Sequence, residues 1–173
     1  MTGWGAGPSE DETVPFNLRP AEPADILAMY ELDLLCFEAP FRFDLETIRY
    51  YATRPGAICL IAEKDRVLAG FLIVNLTIRR KASSGYITTL DIHPDFRRQG
   101  LSRQLMNAAE ASAIQAGITS LSLHVSTENQ PAICFYESFG YSRILLVENF
   151  YAEDLHAWLY LKNLIPSAAN RVS

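Results

Sequence analysis

No stretch of this chain approaches the ~20 consecutive apolar residues that a membrane-spanning helix requires. An excess of basic charge is also missing: 15 Lys and Arg stand against 20 Asp and Glu, a net charge of −5. Proteins that hold a phosphate backbone usually carry the opposite sign, so neither a membrane nor a nucleic acid is expected as a partner. The 3 cysteines (Cys36, Cys59 and Cys134) are odd in number and scattered through apolar surroundings. They offer no disulfide framework and no metal-ligand spacing, and read as buried free thiols of a reducing cytoplasm. His93, His124 and His156 lack a Cys or Glu partner at zinc spacing, so no metal is expected. The first residues are rich in Gly and acid and have no apolar core of a secretory signal.

What is present is the composition of a single folded domain. Of 173 residues, 49% are apolar and 20% charged, enough for a sizeable core. Residues 1–14 read as a flexible leader, 15–165 as one domain and 166–173 as a flexible tail.

Local patterns supply the elements. Phe16–Pro20 alternates like a short strand, and Asp25 is placed to cap a helix through Ile26, Met29, Leu32 and Leu34. Asp44 is placed to cap a second helix. Ala57–Glu63 and Val67–Ile78 read as a hairpin around Lys64-Asp65-Arg66. The basic turn Arg79-Arg80-Lys81 leads to a strand over Tyr86–Ile92, followed by a helix from Leu101 to Ala116 whose stripe includes Leu105, Ala109 and Ala113. A strand at Leu121–Val125, a short helix at Pro131–Phe139 and strands at Tyr141–Val147 and Ala157–Leu161 complete the order β-α-α-β-β-β-α-β-α-β-β. The passage from strand through helix to strand at 86–125 implies a parallel pair inside an otherwise antiparallel sheet.

The stretch Leu90-Asp91-Ile92-His93-Pro94-Asp95-Phe96-Arg97-Arg98-Gln99-Gly100-Leu101-Ser102-Arg103 carries the chemistry. A strand runs through a basic turn directly into a helix N-terminus, whose unpaired N–H groups and partial positive charge favour a phosphate. Gly100 permits close approach of the backbone. With one glycine, the turn is neither a Walker A loop nor a dinucleotide fingerprint.

Arg97-x-x-Gly100-x-Ser102 resembles the R/Q-x-x-G-x-G/A pyrophosphate loop of the GNAT acyltransferases. Asn129-x-x-Ala132-x-x-Phe135-Tyr136-x-x-x-Gly140-Tyr141 resembles their second motif, at the expected distance along the chain. Ser102 departs from the usual Gly or Ala, so its side chain must turn away from the phosphate. The resemblance runs from about Phe16 to Leu164. It implies the GNAT fold, an α/β architecture with a central mixed, twisted sheet of about six or seven strands flanked by about four helices.

It also implies acetyl-CoA as cosubstrate. Leu90, Asp91 and Ile92 would lend backbone groups to the pantetheine arm. Arg97, Arg98, Gln99, Gly100, Leu101, Ser102 and Arg103 would hold the pyrophosphate. Asn129, Ala132 and Tyr136 would lie along the arm, and the Tyr136 phenol could donate to the departing sulfur.

A closer resemblance is to the branch that acetylates protein N-termini, the RimI-like and Naa-type enzymes. Cys36-Phe37-Glu38-Ala39-Pro40-Phe41 is similar to the turn with which that branch holds the acceptor. Leu121-Ser122-Leu123-His124-Val125 is similar to a strand whose His or Glu acts as general base through water. Asn149-Phe150-Tyr151 resembles an Asn-Tyr-Tyr turn over the first residues of the peptide, with Phe150 replacing a Tyr. Tyr86 sits where some members place a second Tyr beside the base. Phe37, Phe41, Thr88, Phe150 and Tyr151 are thus expected at the acceptor, with Phe43 in the same aromatic cluster, and Tyr136, His124 and Tyr86 are the catalytic candidates.

The chemistry is consistent with that branch. An α-amine has a pKa of ~7.7–8.0 and Lys ~10.4, so a mild base such as His, at ~6.5, suffices for an N-terminus. Two other readings stay open: acetylation of a small amine or of a protein lysine, and a non-enzymatic acetyl-CoA-binding module. The chain is expected to be cytoplasmic, and either monomeric or homodimeric.

Overall fold

A computed structural model of the protein describes residues 15–80 and 83–165. The expected leader and tail, and Lys81 of the basic turn, lie outside the described residues. Seven strands and four α-helices follow one another as β1 (Asn17–Pro20), α1 (Ile26–Cys36), α2 (Leu45–Thr53), β2 (Ala57–Lys64), β3 (Val67–Thr77), β4 (Ser84–Ile92), α3 (Leu101–Gln115), β5 (Ser120–Ser126), α4 (Gln130–Ser138), β6 (Ser142–Ala152) and β7 (Leu155–Asn163). This is the order read from the sequence. The strands form one sheet in the order β1-β2-β3-β4-β5-β7-β6. Only the β4–β5 pair is parallel; the other adjacent pairs are antiparallel.

Local chemistry explains most of the boundaries. Asp44 caps α2 by accepting the Thr47 N–H at 2.7 Å. Asp25 does not cap α1, contrary to expectation. Its carboxylate is held by both Arg19 guanidinium nitrogens, at 2.7 and 2.8 Å, and accepts the Glu22 N–H at 2.7 Å. A bidentate charged partner outcompetes a single backbone donor. The β2–β3 turn places Asp65 and Arg66 at φ 52° and 66°, a two-residue turn matched to the twist of its strands.

The two faces of the sheet carry separate cores. On one, Ile26, Met29 and Leu32 of α1 and Ile48 of α2 pack on Ile61, Phe71 and Ile73. On the other, Leu101, Leu105, Met106, Ala109 and Ala113 of α3, with Ile133 and Tyr136 of α4, pack on Leu72, Val74, Leu121 and Leu123. Leu105 is fully buried, and truncating such a side chain to Ala costs about 2–5 kcal/mol.

The feature that creates the site lies at the centre of the sheet. Parallel pairing of β4 with β5 joins Ser84 to Ser120, Gly85 to Leu121 and Tyr86 to Ser122, and then stops. A Cβ at Gly85 would overlap the Leu121 side chain, so glycine sets the close end of this pair. Just beyond it β4 bulges. Val74 pairs with Ile87 and Ile73 with Thr89, leaving Thr88 without a partner. A bulge bends its strand, and a cleft opens between Ile87–Leu90 and Leu123–Ser126.

Candidate active site

The cleft runs through the sheet from an acceptor end to a cofactor end. The acceptor end is lined by Phe37, Phe41 and Phe43 from the loop after α1, by Thr88 of β4, His124 of β5 and Tyr151 of β6. A second cavity holds Ile92, Arg97, Ser102, Pro131 and Phe135. Leu90, Asn129, Ala132 and Tyr136 line both. The third joins Arg98, Gly100, Leu101, Ser102 and Arg103 at the N-terminus of α3.

Tyr136 therefore stands where the two halves meet. It is 8% exposed, and burial pushes its phenol well above the ordinary range. A phenol so placed keeps its proton. Its hydroxyl makes no hydrogen bond to another of the described residues.

Across the cleft, His124 Nδ1 lies 2.9 Å from the Tyr86 hydroxyl. Burial lowers the imidazole pKa and raises that of the Tyr86 phenol, so both groups are neutral at pH 7. Phe150 stacks on the His124 ring at 4.0 Å and 13°. The Tyr151 hydroxyl donates to the His124 carbonyl at 3.4 Å, and its ring meets Phe41 edge-on at 4.8 Å. Tyr86 and Phe150 thus sit behind and beside the imidazole, and do not themselves line the cleft.

Asn149, Phe150 and Tyr151 are not a turn between strands. They belong to a β6 longer than the sequence suggested, in a wide bulge where Glu148–Tyr151 face the single residue His156. The bulge is pinned by Asn149, at φ 54°. Its N–H donates to His156 Nδ1 at 3.0 Å and its Oδ1 accepts from the Asp154 N–H at 2.8 Å.

At the cofactor end, Arg97 Nε donates to the Ile92 carbonyl at 3.1 Å, which ties the basic turn to the end of β4. Arg98 and Gly100 take left-handed φ of 61° and 78°. At Gly100 a Cβ would meet nothing within 4 Å, so conformation and not space asks for glycine. The side chain of Leu101 is core, and its contribution here is the start of the helix.

The Gln99 amide donates to the Asp95 carbonyl at 3.1 Å, which folds it into the turn itself. Arg103 lies over the Phe139 ring at 5.2 Å. Asn129 caps α4, accepting the Ala132 N–H at 3.2 Å while facing the cleft. Cys36 lines the cofactor half and donates to the Ile92 carbonyl at 3.3 Å; burial pushes its thiol up to about 11.

Asp91 differs from its neighbours. Its side chain is fully buried and lines none of the three cavities, leaving only its backbone for a ligand. Phe43, which the sequence groups with Phe37 and Phe41 as an acceptor wall, does line the cleft. Glu128, at the acceptor end, had no signal in the sequence, where it reads as a surface acid in a loop.

These residues suit acetyl-CoA. Beyond Tyr86, β4 lacks a partner on its β5 edge and can pair there with an amide-rich arm, while a turn with two arginines, and a third in the first turn of α3, opens a helix N-terminus for phosphates. Among the described residues, no group of three or more His, Cys, Asp or Glu is arranged to hold a metal, and no helix is long and apolar enough to cross a membrane.

The comparisons with known proteins agree with this geometry. The N-terminal acetyltransferase A complex catalytic subunit NAA10 of Arabidopsis thaliana is 28% identical over 150 residues, covering 85% of this chain and 77% of the relative. A putative ribosomal protein bS18-alanine N-acetyltransferase of Bacillus subtilis is 28% identical over 130 residues, covering 75% and 83%. In structure, the ribosomal-protein-S18-alanine N-acetyltransferase of Escherichia coli superposes with a TM-score of 0.78 at 20% identity, covering 92% of this chain and all of the other. Residues 26–141 match the Acetyltransferase (GNAT) family, and the chain belongs to that family as an acetyl-CoA-dependent N-acetyltransferase.

Proposed function

We propose that the acceptor is the α-amine at the N-terminus of a protein or peptide, acetylated in the cytoplasm. The observation that carries this reading is the acceptor end of the cleft. Phe37, Phe41, Phe43 and Tyr151 wall a slot whose one carboxylate is Glu128. Such a slot takes a peptide end with a neutral amine and a small or apolar first side chain, and suits a polycation poorly. The curated relatives named above act on N-termini by their names, which supports the same choice.

Acetyl-CoA, when bound, supplies an acyl group activated as a thioester. The chain's own residues do the rest. The backbone of Thr89–Ile92 holds the arm, and Arg97, Arg98, Ser102 and the start of α3 hold the phosphates. His124 accepts the proton of the amine through water at Nε2, with its Nδ1 proton donated to the Tyr86 hydroxyl. That tautomer aims the basic nitrogen away from Tyr86. Because burial lowers its pKa, the imidazole is unprotonated when a neutral amine is available. Tyr136 holds a proton ready at Oη for the departing sulfur.

The test is CoA release with two peptides of one sequence containing a lysine, one with a free and one with a blocked N-terminus. Turnover of the free form alone supports the proposal. Turnover of both points to lysine. Silence on both with turnover of small amines refutes the peptide reading and leaves the family assignment standing.

A further inference from the structure

Outside the cleft, the structure buries two carboxyl groups that the reaction does not use. Asp33 of α1 and Asp91 of β4 are each 0% exposed and close enough that each bears on the other's ionisation. Their remaining bonds divide cleanly. Asp33 Oδ2 accepts the Phe43 N–H at 2.8 Å, and Asp91 Oδ1 accepts from the Thr89 hydroxyl. The other two oxygens, Asp33 Oδ1 and Asp91 Oδ2, are buried with no hydrogen-bond partner among the described residues, and a proton between them would satisfy both.

Two carboxylates facing each other without water cannot both be ionised, and a hydrogen bond between them requires one proton. Asp33 accepts a backbone N–H and lies near Arg42, so it keeps the charge. Asp91 accepts no backbone N–H and carries the proton, with its ionisation pushed well above the carboxylate range by desolvation. The other groups facing the pair are Arg97 after β4, Cys36 of α1 and Tyr136 of α4. Both arginines favour an anion, so the pair is a monoanion.

The two partners connect different halves of the site. Asp33 holds the backbone of the loop 37–44, which carries Phe37, Phe41 and Phe43. Asp91 lies in β4 between Leu90 and Ile92, whose side chains line the cleft. We propose that Asp33 and Asp91 share one proton and form a clasp that positions the acceptor loop against the cofactor strand. Both are positioning residues and touch no substrate. The clasp predicts that full ionisation at high pH drives the loop from β4 and weakens acceptor binding before cofactor binding.

This inference rests on the acceptor-slot reading for its kinetic arm and is independent of it for its spectroscopic arm. Infrared spectra of the wild-type protein at pH 7 are expected to show the carbonyl band of a buried protonated carboxylic acid, absent from Asp91→Asn. Steady-state kinetics are expected to show the acceptor KM raised about ten-fold or more in Asp33→Ala and Asp91→Ala, with the acetyl-CoA KM within about two-fold. Asp91→Asn, which donates a permanent hydrogen to Asp33, is expected to rescue most of that loss and to remove the rise in acceptor KM at high pH. The acceptor is whichever amine the enzyme turns over, so failure of the N-terminal reading leaves this test intact. No acid band in the wild type, equal changes in both KM values, or Asp91→Asn behaving as Asp91→Ala would overturn the clasp.

Discussion

Replacing Tyr136 by Phe removes one oxygen from the centre of the cleft and separates chemistry from folding. The ring is 8% exposed and packed in the core of the α3 and α4 face, and Phe keeps that ring. The hydroxyl makes no hydrogen bond to the other described residues, so its loss leaves no buried partner unsatisfied. The expected change in stability is within about 0.5 kcal/mol. The expected change in rate is far larger. Positioned proton donors contribute about 10²–10⁴-fold, which corresponds to about 3–5 kcal/mol at 1.36 kcal/mol per decade. The assay is kcat from CoA release at saturating acetyl-CoA and acceptor, beside thermal unfolding of both proteins. A kcat within about three-fold of wild type would remove the acid role from Tyr136. A large fall in melting temperature would show that the hydroxyl serves the fold.

Three further predictions follow from the same geometry. His124→Gln should lower kcat by about 10²-fold. In the wild type, kcat/KM should rise with pH as the α-amine loses its proton near ~7.7–8.0, and should fall further below the lowered His124 pKa, where the base is protonated. A profile whose acid limb survives unchanged in His124→Gln would refute the assignment. Gly100→Ala meets no obstacle within 4 Å but must hold φ 78°. A left-handed residue with a Cβ costs about 1–2 kcal/mol, so the acetyl-CoA KM should rise about five- to thirty-fold with the acceptor KM unchanged. Phe41→Ala removes an edge-on contact with Tyr151, worth about 0.5–1.5 kcal/mol beyond its area; peptide KM should rise while acetyl-CoA KM stays, as checked by varying each substrate in turn.

The edge strand β6 is the part of the fold least visible in the sequence. Its apolar residues suggested a strand ending near Val147, yet it continues to Ala152 through a bulge. Bulges are set by the partner strand and by side chains such as His156, which no local pattern encodes. The same holds at Thr88, whose bulge in β4 opens the cleft, and whose hydroxyl accepts the Asn75 amide at 2.7 Å. Asp25 shows the converse error: a local rule named it a cap, and a charged partner six residues away took it instead.

By itself the sequence determined the element order, the turn of Arg97 to Ser102 at a helix start, and the Asn129 to Tyr141 motif, because caps, periodicity and turn glycines act between neighbours. Tertiary structure alone decided where β4 and β5 part, that Tyr86 meets His124 from 38 residues away, and that Asp33 and Asp91 face each other in the dark of the core. Those distances come from packing two cores on opposite faces of one bent sheet, and burial then makes each polar group that is caught there find its partner or keep its proton.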